Sequence, residues 1–439
     1  MTFPNLQSHW QLLRDKITDG SDAQFQRNQK INVAQGILAI MVINLVNPFL
    51  SIFAIKNGAT DYQVALLSSA PALVSVLSMI PGARYIDKHA KKQKITMITM
   101  FIHRCFYLLL ACIPFFRPSI RASLLVATIA LMNLPGSIST ISWQSYIARV
   151  IPPALRPQSI ATRNKMQSLV GTCFTLIAGR FLDIASYPLG YQLAFLTSFL
   201  LAMAEIWVFS RMDEPELPGD EEIEQQAQTV QQKISLLQSL KNILQEIRQE
   251  KRFLRFCAAS LSFNFAMMIP WSLFSLYQVR ILGANNTWVS LLSLINTGGS
   301  LIGYGFWTRY SQKHGNFATL FSSGIWIFIV PLAYAFSKSL YFVACINLIT
   351  GMVFSGVILS LFNATLEATP EKNRTSFLAY HQTIINLMAV FAPIVGVGLR
   401  DLFGFPIAFL ICAALRIVGA SSFKVLQQYE KRHSTEAII

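Results

Sequence analysis

Four ionisable side chains, His103, Arg104, Glu205 and Arg416, lie inside otherwise apolar runs of this 439-residue chain. A charge in such surroundings is costly unless it is paired, protonated or open to water, so these residues are where chemistry is to be sought. Counted from the ends of their runs at 1.5 Å per helical residue, Arg104 lies about 13 Å deep and Glu205 about 8 Å deep. An ion pair fits those depths once the reach of the arginine stem is included. Two roles stay open for Glu205: a structural clamp with Arg104, or a proton relay with His103, since an unperturbed imidazole titrates near neutral pH. No other chemistry is signalled. The sequence has no Gly-rich phosphate loop, no HExxH and no CxxC. The six cysteines all fall in apolar stretches, at spacings that match no metal motif and no disulfide framework. No catalytic residue, metal or cofactor is expected, and the chain does not read as an enzyme.

The elements that must carry these residues follow from composition. With 53% hydrophobic and 13% charged residues and a mean hydropathy of +0.46, the chain is too apolar for a soluble protein of its length. At roughly 20 residues per span it holds about twelve to fourteen membrane helices. The apolar runs fall as six in residues 33–210 and six in 253–424, which predicts an all-α membrane protein with twelve transmembrane helices in two six-helix bundles. Polar tails flank them at 1–32 and 425–439. A central loop, 211–252, opens on the acidic residues Asp213, Glu214, Glu216, Asp220 and Glu221. It continues into Leu236, Leu240, Ile243, Leu244 and Ile247 at helical spacing, an amphipathic surface helix.

Lys and Arg number 36 against 21 Asp and Glu. In a soluble protein this would suggest a nucleic-acid partner, but here the basic residues gather in alternate connections, as cytoplasmic loops do. Arg84, Lys88, Lys91, Lys92, Lys94, Arg149 and Arg156 fall on one side, and only scattered residues such as Lys56, Arg280 and Arg400 on the other. Both termini are therefore expected in the cytoplasm of a multi-pass protein of the cell membrane. A monomer with the lipid bilayer as its partner, and no nucleic acid, is the expectation.

The two halves repeat. Laying Gly58 over Gly283 aligns 58–91 with 283–316 without a gap, and matches Leu66-Leu67-Ser68 with Leu291-Leu292-Ser293 and Arg84-Tyr85-x-x-Lys88-His89 with Arg309-Tyr310-x-x-Lys313-His314. Farther on, Pro152-x-x-x-Arg156 corresponds to Pro370-x-x-x-Arg374, and Asp183 to Asp401. Ungapped repeats of this kind require two bundles of the same orientation.

Twelve spans, parallel repeats and a long central loop resemble the major facilitator superfamily of secondary transporters over nearly the whole chain. The loop after span two carries the most specific likeness. Ala83-x-x-x-Asp87-Lys88-x-Ala90-Lys91-Lys92 keeps the charges and spacing of the family motif Gly-x-x-x-Asp-Arg-x-Gly-Arg-Lys/Arg, with both glycines replaced by alanine. The second half, Thr308-x-x-x-Gln312-Lys313-x-Gly315-Asn316, has lost the acid. Similarity implies a conformational latch of the outward-facing state formed by Arg84, Asp87 and Lys88, with Arg309 and Lys313 in the other half. A carboxylate set against a helix N-terminus can hold one tilt of the halves. A plain positive-inside loop explains the lysines but not the acid.

The resemblance also implies that spans one, four, seven and ten line a central cavity. Their buried amides and one indole, Asn44, Asn47, Asn133, Gln144, Asn264, Trp271 and Asn347, are the expected substrate contacts, with hydrogen bonding between helices as the competing role. None of those four spans has a charged residue in its membrane core, and the acid and base that many drug antiporters of the family carry in spans one and four are absent. A small neutral or amphipathic organic substrate follows, moved by alternating access with export as the favoured direction and protons as an open co-partner. Uptake of a sugar or nucleoside-like solute, and a non-transporting role in assembly or lipid handling, are the alternatives.

Overall fold

The structure, a computed structural model, describes residues 21–87, 89, 91–152, 155–215, 248–370 and 374–436. No strand occurs among them, and twelve helical rods account for most of the chain. Rod α1 is Ser21–Val46 continued through a 3-10 turn at Asn47–Phe49 into Leu50–Lys56; α2 is Asp61–Asp87; α3 is Lys92–Cys112 with a 3-10 end at Ile113–Phe115. Rods α4, α5 and α6 are Pro118–Val150, Arg156–Ile184 and Leu189–Ser210. The second half begins with α7, made of Lys251–Met268, Trp271–Leu276 and a π-turn Tyr277–Ile281; α8 is Asn286–His314, α9 is Asn316–Trp326 plus Ile329–Phe336, and α10 is Leu340–Ala368. The last continuous stretch, Arg374–Glu436, bends at Gly404 (φ 75°), which separates α11 (374–403) from α12 (405–436).

Hydrocarbon offers the backbone no hydrogen-bond partner, so an apolar chain of this kind must satisfy its peptide groups within helices. Among the described residues, ten stretches are long and apolar enough to cross a membrane, α11 and α12 counting as a single 50-residue stretch. Rod α5 falls short because Arg156, Arg163, Lys165, Arg180 and Asp183 dilute it. Breaks in the rods follow proline: Pro48 interrupts α1 and Pro270 interrupts α7, each removing a backbone donor and freeing a carbonyl one turn back.

Helix extends past the expected tail boundaries at both ends. Rod α1 starts at Ser21 rather than near residue 33, and α12 runs to Glu436. The early part of α1 is polar and packs on the end of α6: Arg27 pairs with Asp213 at 3.1 Å, and the Asn28 side chain donates to the Asp213 carbonyl. The start of α7 likewise meets the end of α12, with Arg255 stacked 3.6 Å from the Tyr429 ring centroid. These ends share one face of the molecule, called here the terminal face. Most of the central loop, including the expected amphipathic helix, lies outside the described residues.

The repeat is visible as geometry. Gly58 and Gly283 turn the chain at equivalent points with φ of 81° and 68°, values that side chains resist and glycine accepts. Packing between rods uses small residues, as expected where lipid removes the hydrophobic incentive for helices to associate. At the α8–α10 crossing, a Cβ on Gly299 would lie 2.1 Å from the Leu348 carbonyl oxygen, and one on Gly303 would lie 2.3 Å from that of Met352. The Trp307 indole then donates to the same Met352 carbonyl at 2.8 Å. Gly303→Leu is expected to push the rods apart and lower stability by about 1–3 kcal/mol or more; thermal unfolding of the purified variant in detergent, compared with an exposed Gly305→Leu control, checks this.

Candidate functional site

A cavity of about 850 Å³ is enclosed by α1, α2, α3 and α4 and reaches across to Trp271 of α7 and Asn386 of α11. Asn47 and Asn133 stand on its wall. Trp271, 55% exposed, also borders a second cavity of about 320 Å³ in the other half, together with Phe274, Gln278, Asn296, Asn347 and Arg416. The two spaces therefore adjoin at one indole. The remaining expected contacts are elsewhere. Asn44 faces a separate opening between α1, α5 and α8. Asn264 is buried within the second half, and Gln144 is exposed in the last two turns of α4, beyond the main cavity.

Several of these amides donate into their own helix. Asn133, Asn264 and Asn347 each donate to the carbonyl four residues back, at 2.9, 2.8 and 2.9 Å. Such back-bonding takes one amide hydrogen of each and leaves the second hydrogen and the carbonyl oxygen able to meet a partner. Asn264 belongs to a buried knot, donating also to the Ser260 hydroxyl, which lies 2.7 Å from His381 Nε2.

The ionisable residues of the first half meet. Arg104 Nη2 lies 2.9 Å from Glu205 Oε2, with Glu205 only 1% exposed. The other carboxylate oxygen accepts from Gln35 Nε2 at 2.8 Å, and Arg163 donates to Gln35 Oε1 at 2.8 Å. Arg163 is stacked over Trp143 at 4.1 Å, and Arg104 also donates to the Tyr107 hydroxyl at 3.1 Å. One carboxylate thus links α6 to α3 directly, and to α1 and α5 through a glutamine. His103 does not join this set: it lines the main cavity and packs on Gly136, where a Cβ would approach it to 2.9 Å.

Gln35 and Arg163 were not legible as a pair in the first half alone. The repeat register does relate them to the second half, where Gln35 corresponds to Ser260 and Arg163 to His381. Both halves therefore tie their first helix to their fifth with a buried polar contact at the same position.

The two halves touch at the face opposite the chain ends. Asp61, at the start of α2, pairs with Arg280 at 2.8 Å and with Arg400. Asp183, at the end of α5, accepts from the backbone N–H groups of Asn286 and Thr287 at 3.0 and 2.7 Å and from both of their side chains. A carboxylate set on the first two N–H groups of α8 satisfies orphan donors and meets the positive end of that helix. Tyr191 adds a bond to Asn286 at 2.7 Å. A large apolar cluster draws on both halves here, whereas the clusters toward the terminal face each belong to one half.

Of the expected latch, Arg309 and Lys313 are exposed at the terminal face. Lys88 and the side chains of Arg84 and Asp87 lie outside the described residues. A carboxylate on a helix N-terminus does occur between the halves, but at the other face and from Asp183. Its signal in the sequence was the repeated Asp183/Asp401 pair closing spans five and eleven.

Because Glu205 holds a buried guanidinium, Glu205→Gln is expected to lower stability by about 3–5 kcal/mol. The double variant Arg104→Met/Glu205→Leu should melt above the single one, since removing both charges removes the uncompensated burial. Thermal melts of the three proteins decide the matter, and equal melting of Glu205→Gln and wild type would count against a buried pair.

The sequence profile of the Major Facilitator Superfamily matches residues 34–367 and again 256–437. Among curated protein sequences none matches the chain. Among solved structures, a bacterial homologue of the human lysosomal transporter Spinster, in an inward-facing and unoccupied conformation, is similar with a TM-score of 0.65 at 12% identity, over 93% of this chain and 98% of that one. The nucleoside transporter NupG is similar with a TM-score of 0.63 at 14% identity, over 92% of this chain and 99% of that one. A profile match across most of the length, on twelve helices built as a duplicated bundle of six, means that this multi-pass membrane protein belongs to the Major Facilitator Superfamily of transporters.

Proposed function

We propose that the protein exports a small amphipathic or neutral organic molecule across the cell membrane by alternating access, with both termini in the cytoplasm, and that the structure is its inward-facing state. The observation that carries this reading is the one-sided closure. Ion pairs, a capped helix and an apolar cluster join the halves at one face, while the clusters toward the terminal face remain separate. The basic loops expected on the cytoplasmic side lie at that terminal face. Asn47, Asn133, Trp271 and Asn347 are the proposed substrate contacts, because they line two adjoining cavities.

Glu205 acts in this reading as a clamp. Arg104 holds one of its oxygens and Gln35 the other, and His103 is not among its partners, which supports a clamp over a relay. The latch of Arg84, Asp87 and Lys88, with Arg309 and Lys313, forms when the terminal face closes. Asp61 and Asp183 are its counterparts in the opposite state. Uptake of a nucleoside-like solute is the second reading, favoured by the amides on the cavity walls and by the likeness to NupG.

Two measurements test these statements. Ligands found in a thermal-shift screen of the purified protein should undergo counterflow in proteoliposomes; a protein that binds solutes yet moves none of them would fit a non-transporting role instead. Asp183→Ala should weaken the closed face by about 1–2 kcal/mol, roughly a tenfold shift of population. Spin labels on the 57–60 and 283–285 turns would then report longer distances, and an unchanged distribution would rule out the lock.

A further inference from the structure

Arg416 lies inside a span, and neither the clamp, the lock nor the main cavity gives it a role. It stands on α12, 2% exposed, and among the described residues no carboxylate pairs with it. Its Nη1 donates to the Ile327 carbonyl at 3.1 Å and its Nη2 to the Met267 carbonyl at 3.0 Å, while Nε has no hydrogen-bond partner. Both carbonyls lie at the ends of helix segments, where α9 and α7 are broken. Carbonyls at a helix C-terminus offset part of a cation's charge through their partial negative ends but supply no counter-ion. Arg104 offers the contrast, since Glu205 neutralises it.

The cavity beside Arg416 has the composition of a site for an amphipathic anion. Trp271, Phe274 and Tyr334 supply aromatic surface, and Gln278, Asn296 and Asn347 supply amides. Neither this cavity nor the larger one it adjoins has an aspartate or glutamate on its wall. The Arg416 guanidinium lies 5.5 Å from the Phe274 ring centroid, so the charge sits at the edge of the aromatic surface. A planar fork of donors suits a carboxylate or phosphate better than any neutral group. A cation would meet repulsion here, and a neutral molecule would leave the charge uncompensated.

We propose that Arg416 is the recognition group for the acidic end of the substrate, and that the substrate is an amphipathic organic anion whose apolar body lies against Trp271, Phe274 and Tyr334. The inference rests on the transporter reading above and narrows its substrate class. The anion can arrive from water or from the bilayer, and the chemistry at Arg416 is the same for both.

Two matched pairs of probes test it on the full-length protein in nanodiscs: 1-naphthaleneacetate against 1-naphthaleneacetamide, and dodecanoate against dodecanol. Within each pair the apolar body is kept and the charge is removed. The charged member of at least one pair should raise the melting temperature and its neutral partner should not; the pair that responds tells a water-borne from a lipid-borne anion. Arg416→Gln should weaken binding of the charged member about thirtyfold or more while leaving any neutral binding unchanged, and Arg416→Lys should retain part of it. If Arg416→Gln does not fold, Asn296→Asp keeps the arginine and places an acid on the same wall, and it should abolish the preference for charge. Equal shifts by both members of each pair, or no shift by any probe, would overturn the proposal, as would a charge preference that survives both substitutions. A protein that selects the anion but carries no radiolabelled anion into proteoliposomes would support the site and overturn the transporter reading.

Discussion

A carboxylate in the hydrocarbon region must have both oxygens satisfied from within the protein, and much of the first half is arranged around meeting that demand for Glu205. Arg104 takes one oxygen and Gln35 the other, and Arg163 completes the set through Gln35. Four of the six helices are thereby held to one another by contacts whose loss would leave a charge buried and unpaired. The cavity wall is built on this arrangement. Arg104 and His103 are neighbours on α3, so fixing the arginine inward also sets the histidine against Gly136 at the cavity.

The second half meets the same demand with different chemistry. Where the first half joins its first and fifth helices through Gln35 and Arg163, the second uses Ser260 and His381. Where the first neutralises Arg104 with a glutamate, the second places Arg416 against carbonyls freed by breaks in α7 and α9. Duplication preserved positions and let the charges diverge. The first half pairs its buried arginine with a carboxylate, while the second holds its own on carbonyls beside a cavity.

Between the halves the forces are of another kind. Asp61 is shared by two arginines from the second half, and Asp183 caps a helix of that half. These contacts are largely buried where the halves meet, the Asp61 side chain keeping 10% of its exposure and Asn286 none. The clamp thus joins helices within the first bundle, whereas Asp61 and Asp183 join one bundle to the other.

Hydropathy and the repeat determined the twelve rods, their parallel duplication and the family, because the period and length of apolar runs are local properties that hydrocarbon enforces. Gly58 and Gly283 were legible for the same reason, being turns that only the local backbone decides. The meeting of Arg104 with Glu205 was open as one of two pairings, since depth is readable from a sequence and azimuth is not. Rotation of α3 about its axis turned the arginine to the glutamate and the histidine to the cavity. Asn44, Gln144 and Asn264, on three different rods, lie away from the main cavity for that reason too, since azimuth turns each to a different neighbour. Only the tertiary structure brought Asp61 between Arg280 and Arg400, residues more than two hundred positions away, because which faces of two bundles touch depends on their tilt and on no property of either segment alone.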